Sequence, residues 1–152
     1  MAPSAVRTEI SARLLILTED RLLLTGYRGQ TWYFLPGGEL SPGETVEHAL
    51  RRGIGEETGF DIRALDFVGC LEHVYTVGYN GGPEEVHELI TVFAAPLPWA
   101  AQIISRDPEL HLFSVALSDL DGLDLRPAAL KEMIFSWVAE AQPRWRTSLP
   151  AS

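Results

Sequence analysis

Residues 45–58 constrain this chain more than any other stretch. They show helical periodicity, and Gly59 stands where a left-handed residue would stop the helix. At 100° per residue, Val46, Ala49, Leu50 and Ile54 form one apolar arc. Glu57 falls inside that arc and Glu56 on its flank, with Arg52 one turn before Glu56 and within pairing reach. A carboxylate aimed along a buried side is costly unless something compensates it. A hard divalent cation, Mg2+ or Mn2+, is a natural compensator; escape of the Glu57 side chain to water is the plain alternative. The helix start has two solutions. Ser41 with Glu44 has capping-box spacing, and Thr45 is an equally good N-cap.

The rest of the chain reads mostly as strand. Residues 1–8 form a loose leader, 9–142 a single domain and 143–152 a tail. Residues 11–18 and 21–25 predict a hairpin about Glu19-Asp20, and 32–35 a short aromatic strand ended by Pro36-Gly37-Gly38. Two longer strands, 65–77 and 86–95, flank a Gly-rich hairpin loop over 78–83. An irregular stretch over 96–108 leads to a last strand over 110–117. Over 127–141, Leu130, Met133, Ile134, Trp137, Val138 and Ala141 recur at helical spacing, which predicts a second amphipathic helix. The expectation is an α/β or α+β domain with a mixed sheet.

Composition excludes several classes. With 152 residues, 46% hydrophobic and 22% charged, the chain has the balance of a globular domain rather than of a disordered one. Such a length buries about two thirds of the unfolded surface without disulfide staples. Cys70 is the only cysteine and the first residues carry no apolar leader, which leads us to expect a reducing, cytoplasmic setting. No stretch approaches the roughly 18 apolar residues of a membrane span. The net charge of −9 opposes binding to nucleic-acid polymers. Close to half of that charge gathers in residues 39–61, where Glu39, Glu44, Glu47, Glu56, Glu57 and Asp61 face only Arg51 and Arg52.

The spacing within that acidic stretch is informative. Gly38, Glu44, Arg52, Ile54, Glu56, Glu57, Gly59 and Phe60 closely resemble the signature of the Nudix hydrolase family, G-x5-E-x7-R-E-U-x-E-E-x-G-U, where U is a bulky apolar residue. The preceding Leu35-Pro36-Gly37-Gly38 resembles the family's usual lead-in. The resemblance implies an α/β/α sandwich whose loop–helix–loop binds a divalent metal, Mg2+ or Mn2+, against a pyrophosphate. It implies hydrolysis of a nucleoside diphosphate linked to another moiety, a small-molecule substrate. By the same resemblance Glu56 and Glu57 are metal ligands, the backbone at Gly37 and Gly38 completes the site, Arg52 orients the acids and Glu44 braces Arg52. Phosphates and carboxylates repel each other, so an acidic site holds a polyanion only with cations between them.

One position departs from the signature: Gly53 stands where the family has Glu, a metal ligand or general base in related enzymes. Three outcomes follow. Another carboxylate takes over, with Glu88 first, Glu109 second and Glu84 or Glu85 third; the enzyme works slowly with two helix carboxylates; or the chain is a catalytically silent nucleotide-binding or sensor protein. If the acid is simply missing, Gly53→Glu restores activity. Arg13 and Arg28 are candidate phosphate contacts, and Trp32, Tyr33 and Phe34 candidate base-stacking residues, alternate members of which must be core. His73, His87 and His111 lack zinc spacing, His48 lies on the polar side of its helix, and Cys70 has no basic neighbour to activate it. No P-loop or serine elbow occurs. Four tryptophans suit a homodimer interface as well as a core.

Overall fold

In a computed structural model the chain is described over residues 5–79, 82–97 and 105–150. Its elements are β1 (Ala5–Thr18), β2 (Arg21–Tyr27), β3 (Gly37–Glu39), α1 (Val46–Thr58), β4 (Asp66–Tyr79), β5 (Gly82–Pro96), β6 (Leu110–Ala116), α2 (Leu130–Glu140) and β7 (Arg144–Thr147). The main sheet runs β6-β2-β1-β5-β4-β7, with β3 paired to β1. It is mixed: β1 runs parallel to β5 and β4 to β7, while the β1–β2, β2–β6 and β4–β5 pairs are antiparallel.

Alternation along β1 builds a core on each face of the sheet. Ala12, Leu14 and Ile16 pack with Leu50 and Ile54 of α1, whereas Leu15 packs with Leu130, Met133 and Ile134 of α2. The result is the expected α/β/α sandwich. Among the described residues no helix is long and apolar enough to cross a membrane.

Several boundaries differ from the expectation. Strand β1 begins at Ala5, inside the expected leader, because 5–10 pair in parallel with 84–89 of β5. Residues 144–147 of the expected tail form β7 on the sheet edge beside β4. Residues 32–35 are no strand: β1 and β2 pair only at Leu17–Leu22 and Thr18–Arg21, then diverge. Residues 33–39 enter the opening between them. Phe34 bridges to Thr25 of β2 and Tyr33 to Leu125, while Gly37 and Gly38, expected with Pro36 to be a terminator, continue with Glu39 as β3 and pair with 11–13 of β1. The apolar stripe of α2 also outruns its cover, leaving Val138 50% exposed. Asn80 and Gly81 of the 78–83 loop, and most of the irregular 96–108 stretch, lie outside the described residues.

Candidate active site

The opening between β1 and β2 makes a cleft of about 810 Å3 on the α2 side of the sheet. Arg13, Glu9 and Glu88 come from its floor, Glu56 and Glu57 from the last turn of α1, and Tyr27, Trp32 and Phe34 from the opposite side.

Local rules place the carboxylates. Thr45 caps α1, its Oγ1 accepting from the His48 N–H at 3.1 Å, and Gly59 ends it at φ 77°. Ser41 has a different use: its N–H donates to Glu44 Oε1 at 3.1 Å and closes the preceding loop. Glu44 then holds Arg52, whose Nε and Nη2 donate to it at 2.9 and 3.1 Å, while a further bond runs from Nη2 to the Glu39 carbonyl. These hydrogen bonds hold the Glu44 carboxyl at about 2, well below its ordinary 4.5. Arg52 also reaches Glu56 at 3.6 Å. His48 is exposed, as expected of the polar side of the helix, and its Nδ1 lies 2.6 Å from Glu44 Oε2.

Glu57 is half-buried beside the exposed Glu56. Burial pushes its carboxyl up to about 7; Arg13 and a backbone hydrogen bond from Gly37 oppose the shift, and Asp107 and Glu56 add to it. Its Oε2 is buried and without a hydrogen-bond partner. A buried anionic oxygen with no donor suits a cation, so the residues fit a hard divalent metal. Among the described residues no three His, Cys, Asp or Glu side chains converge into a metal cluster. Two carboxylates leave room for carbonyl, water and phosphate oxygens, the usual company of Mg2+.

Gly53 lies in the cleft wall and is buried. A Cβ there would stand 2.6 Å from the Gly37 carbonyl carbon and 2.9 Å from the Gly38 nitrogen, with the Gly37 oxygen nearer still. The space of the family's third acid is filled by backbone. The expectation that Gly53→Glu simply restores a ligand therefore meets a steric obstacle.

Among the other candidates, Arg13 lines the cleft, its Nη1 donating to the Leu35 carbonyl at 3.2 Å, and Gly37 and Gly38 line it too. Glu88 lines it and accepts from the buried Ser11 hydroxyl at 2.9 Å. Arg28 does not: it is exposed, outside the cleft, and its Nε donates to the Pro108 carbonyl. Glu109 is exposed outside the cleft, and Glu84 pairs with Arg7 at 2.5 Å. Cys70 is half-buried, and burial raises its thiol, in keeping with an inert side chain. Sequence reasoning missed Glu9 and Arg126, which line the cleft, and Asp107, whose charge acts on Glu57. Glu9 borders the expected leader, and Arg126 reaches the cleft through the Tyr33–Leu125 bridge. Tyr75, which shares the floor, donates to Glu9 at 3.3 Å, and burial pushes its hydroxyl up to about 12.

The chain is 34% identical over 92 residues to the low-salt glycan biosynthesis protein Agl8 of Haloferax volcanii, covering 58% of each chain. It is 27% identical over 110 residues to the uncharacterized Nudix hydrolase YvcI of Bacillus subtilis, covering 72% of this chain and 67% of that one. The match thus spans somewhat more than half of Agl8. The fold is that of the MutT protein from Bacillus halodurans, with a TM-score of 0.70 at 22% identity over 91% of this chain and 88% of that one. A sequence model of the NUDIX domain matches residues 7–136, nearly all of the described fold. The chain belongs to the NUDIX domain family.

Proposed function

We propose that the protein is a pyrophosphohydrolase of the Nudix type, acting on a nucleoside diphosphate linked to another moiety. The observation that carries the reading is the Glu57 carboxylate: half-buried beside Glu56, with one oxygen lacking any donor, at the end of a cleft lined by Arg13. Glu56 and Glu57 would hold Mg2+ or Mn2+ together with the Gly38 backbone. When bound, such a cation neutralises phosphate charge and makes water a better nucleophile. Arg13 and the Gly37 backbone bind phosphate oxygens. Arg52 orients Glu56, and Glu44 holds Arg52 in place.

Glu88 is the carboxylate we assign as proton acceptor in place of the acid that Gly53 lacks. Its support is the Ser11 hydroxyl, which fixes the carboxylate on the cleft floor at 2.9 Å. The lone Cys70 fits a reducing, cytoplasmic setting. Gly53 also favours a second reading, a Nudix-fold protein that binds nucleotides without turnover.

A screen of nucleotide-linked pyrophosphates with Mg2+ and Mn2+ tests the assignment through phosphate and pyrophosphate release. Metal-dependent turnover of at least one compound is expected. Thermal stabilisation by nucleotides with no turnover of any would instead establish the silent binder.

A further inference from the structure

The cleft carries a second chemistry that its acidic end does not use. Tyr27, Trp32 and Phe34 cluster, with centroids 5.7 Å apart for the edge-on Tyr27–Trp32 pair, 5.2 Å for the tilted Tyr27–Phe34 pair and 5.8 Å for the tilted Trp32–Phe34 pair. The hydrophobic core does not claim them. Alternation sends Leu35 fully inward and Tyr33 against the core, while Trp32 and Phe34 line the cleft and Tyr27 stays 46% exposed. Three aromatic side chains lining one cleft offer apolar ring faces and edges, of which Trp32 is the broadest and best suited to a planar ligand.

Arg126 completes the surface. Its guanidinium lies over the Trp32 ring, 5.1 Å from the centroid, and its Nε and Nη2 donate to Asp124 at 3.3 and 3.0 Å. Asp124 offsets the positive charge and fixes the plane, so Arg126 offers a flat face more than a free charge for phosphate. The two segments are tied through backbone: Tyr33 N–H donates to the Asp124 carbonyl at 2.8 Å, and Arg126 N–H to the Tyr33 carbonyl at 2.9 Å. Arg13 stands between the two ends, 5.9 Å over the Phe34 ring and electrostatically coupled to Glu57. Along the cleft the chemistry therefore runs from carboxylate to guanidinium to aromatic surface. A nucleotide presents the matching order of phosphate and planar base.

We propose that Trp32, with Arg126 laid on it and Phe34 and Tyr27 beside it, is the platform on which the planar base of the substrate stacks while its phosphates point to Glu56 and Glu57. The direction of the phosphates rests on the hydrolase reading; the platform itself does not. Calorimetric titration of the full chain in chelator, with nucleoside monophosphates, ribose 5-phosphate and pyrophosphate as separate probes, tests it. Nucleoside monophosphates should bind on the order of tenfold or more tighter than ribose 5-phosphate, the scale of one base–aromatic stack. Trp32→Leu should erase that preference and Trp32→Phe keep most of it. Arg126→Ala, which removes an exposed side chain, should weaken nucleotide binding severalfold while leaving the thermal midpoint near that of the parent. Equal affinity for ribose 5-phosphate and nucleotides, or nucleotide affinity unchanged in both Trp32→Leu and Arg126→Ala, overturns the platform. Trp32-dependent nucleotide binding without turnover of any pyrophosphate would uphold the platform and remove the hydrolase reading. Turnover indifferent to Trp32→Leu and to the presence of a base would do the reverse.

Discussion

The helix residue Gly53 abuts the carbonyl of Gly37, so closely that a Cβ on Gly53 would overlap the Gly37 carbonyl group. The contact welds α1 to the strand inserted beside β1, and it occupies the place where the family's third acid would begin. Gly53→Ala and Gly53→Glu should each destabilise the protein, by about 1–3 kcal/mol for the smaller change, as expected of overpacking. Gly53→Glu should not raise turnover. Gly55 is the control in the same helix: nothing lies within 4 Å of its would-be Cβ, and Gly55→Ala should stabilise by about 1 kcal/mol. Urea unfolding midpoints of the three variants measure the contrast.

Glu57 makes the unliganded protein pH-sensitive in a definite direction. Its carboxyl is raised from 4.5 to about 7, chiefly by burial, so the folded state holds a proton that the unfolded state has already lost. The stability tied to this group is complete below pH about 4.5 and declines as pH rises towards about 7. In chelator, Glu57→Gln should remove that decline and be no less stable than the parent at pH 8. With Mg2+ or Mn2+ added, the parent should gain thermal stability and Glu57→Gln should not.

Glu44 has the opposite sign. Arg52, the Ser41 N–H and His48 hold it at about 2, so its contribution is present above pH about 4.5 and is lost as pH falls towards 2. Glu44→Gln should flatten that acid limb of the stability profile. Because Arg52 then loses its main partner, turnover at neutral pH should also fall, with metal affinity changed less than in Glu57→Gln. Parallel acid-unfolding and kinetic measurements separate the two effects.

Glu88→Gln tests the proton acceptor. Loss of a general base costs about 10²–10⁴-fold in rate, so kcat should fall by that scale while KM changes little. Ser11→Ala, which removes the 2.9 Å bond to Glu88, should lower kcat by a smaller factor. Unchanged kcat in Glu88→Gln would move the role to another acid of the cleft.

How much the sequence revealed depended on whether each feature was local. The Thr45 cap, the Gly59 stop and the apolar arc of α1 follow from neighbours in the chain, and so does the Leu130, Met133 and Ile134 stripe of α2. The brace from Glu44 to Arg52 was legible through the family resemblance. The divergence of β1 and β2 was not, because nothing in either strand encodes a wedge contributed by residues 33–39. The Gly53–Gly37 approach depends on that wedge and so is not local, whereas the aromatic side of the cleft is, since alternation over 32–34 already separates Trp32 and Phe34 from Tyr33. Arg126 was hidden for a related reason, since it reaches Trp32 through a bridge that spans more than ninety positions. Arg28 shows the converse, a cation near the right segment whose side chain is drawn to the Pro108 carbonyl.

The most direct test of the central claim is release of phosphate or pyrophosphate from nucleotide-linked pyrophosphates by the parent and by Glu57→Gln, each with Mg2+ or Mn2+ and again with chelator. Turnover by the parent should occur only when metal is present, and should be lost in Glu57→Gln with the fold intact by circular dichroism. Full turnover in chelator, or full turnover by Glu57→Gln, would contradict the claim.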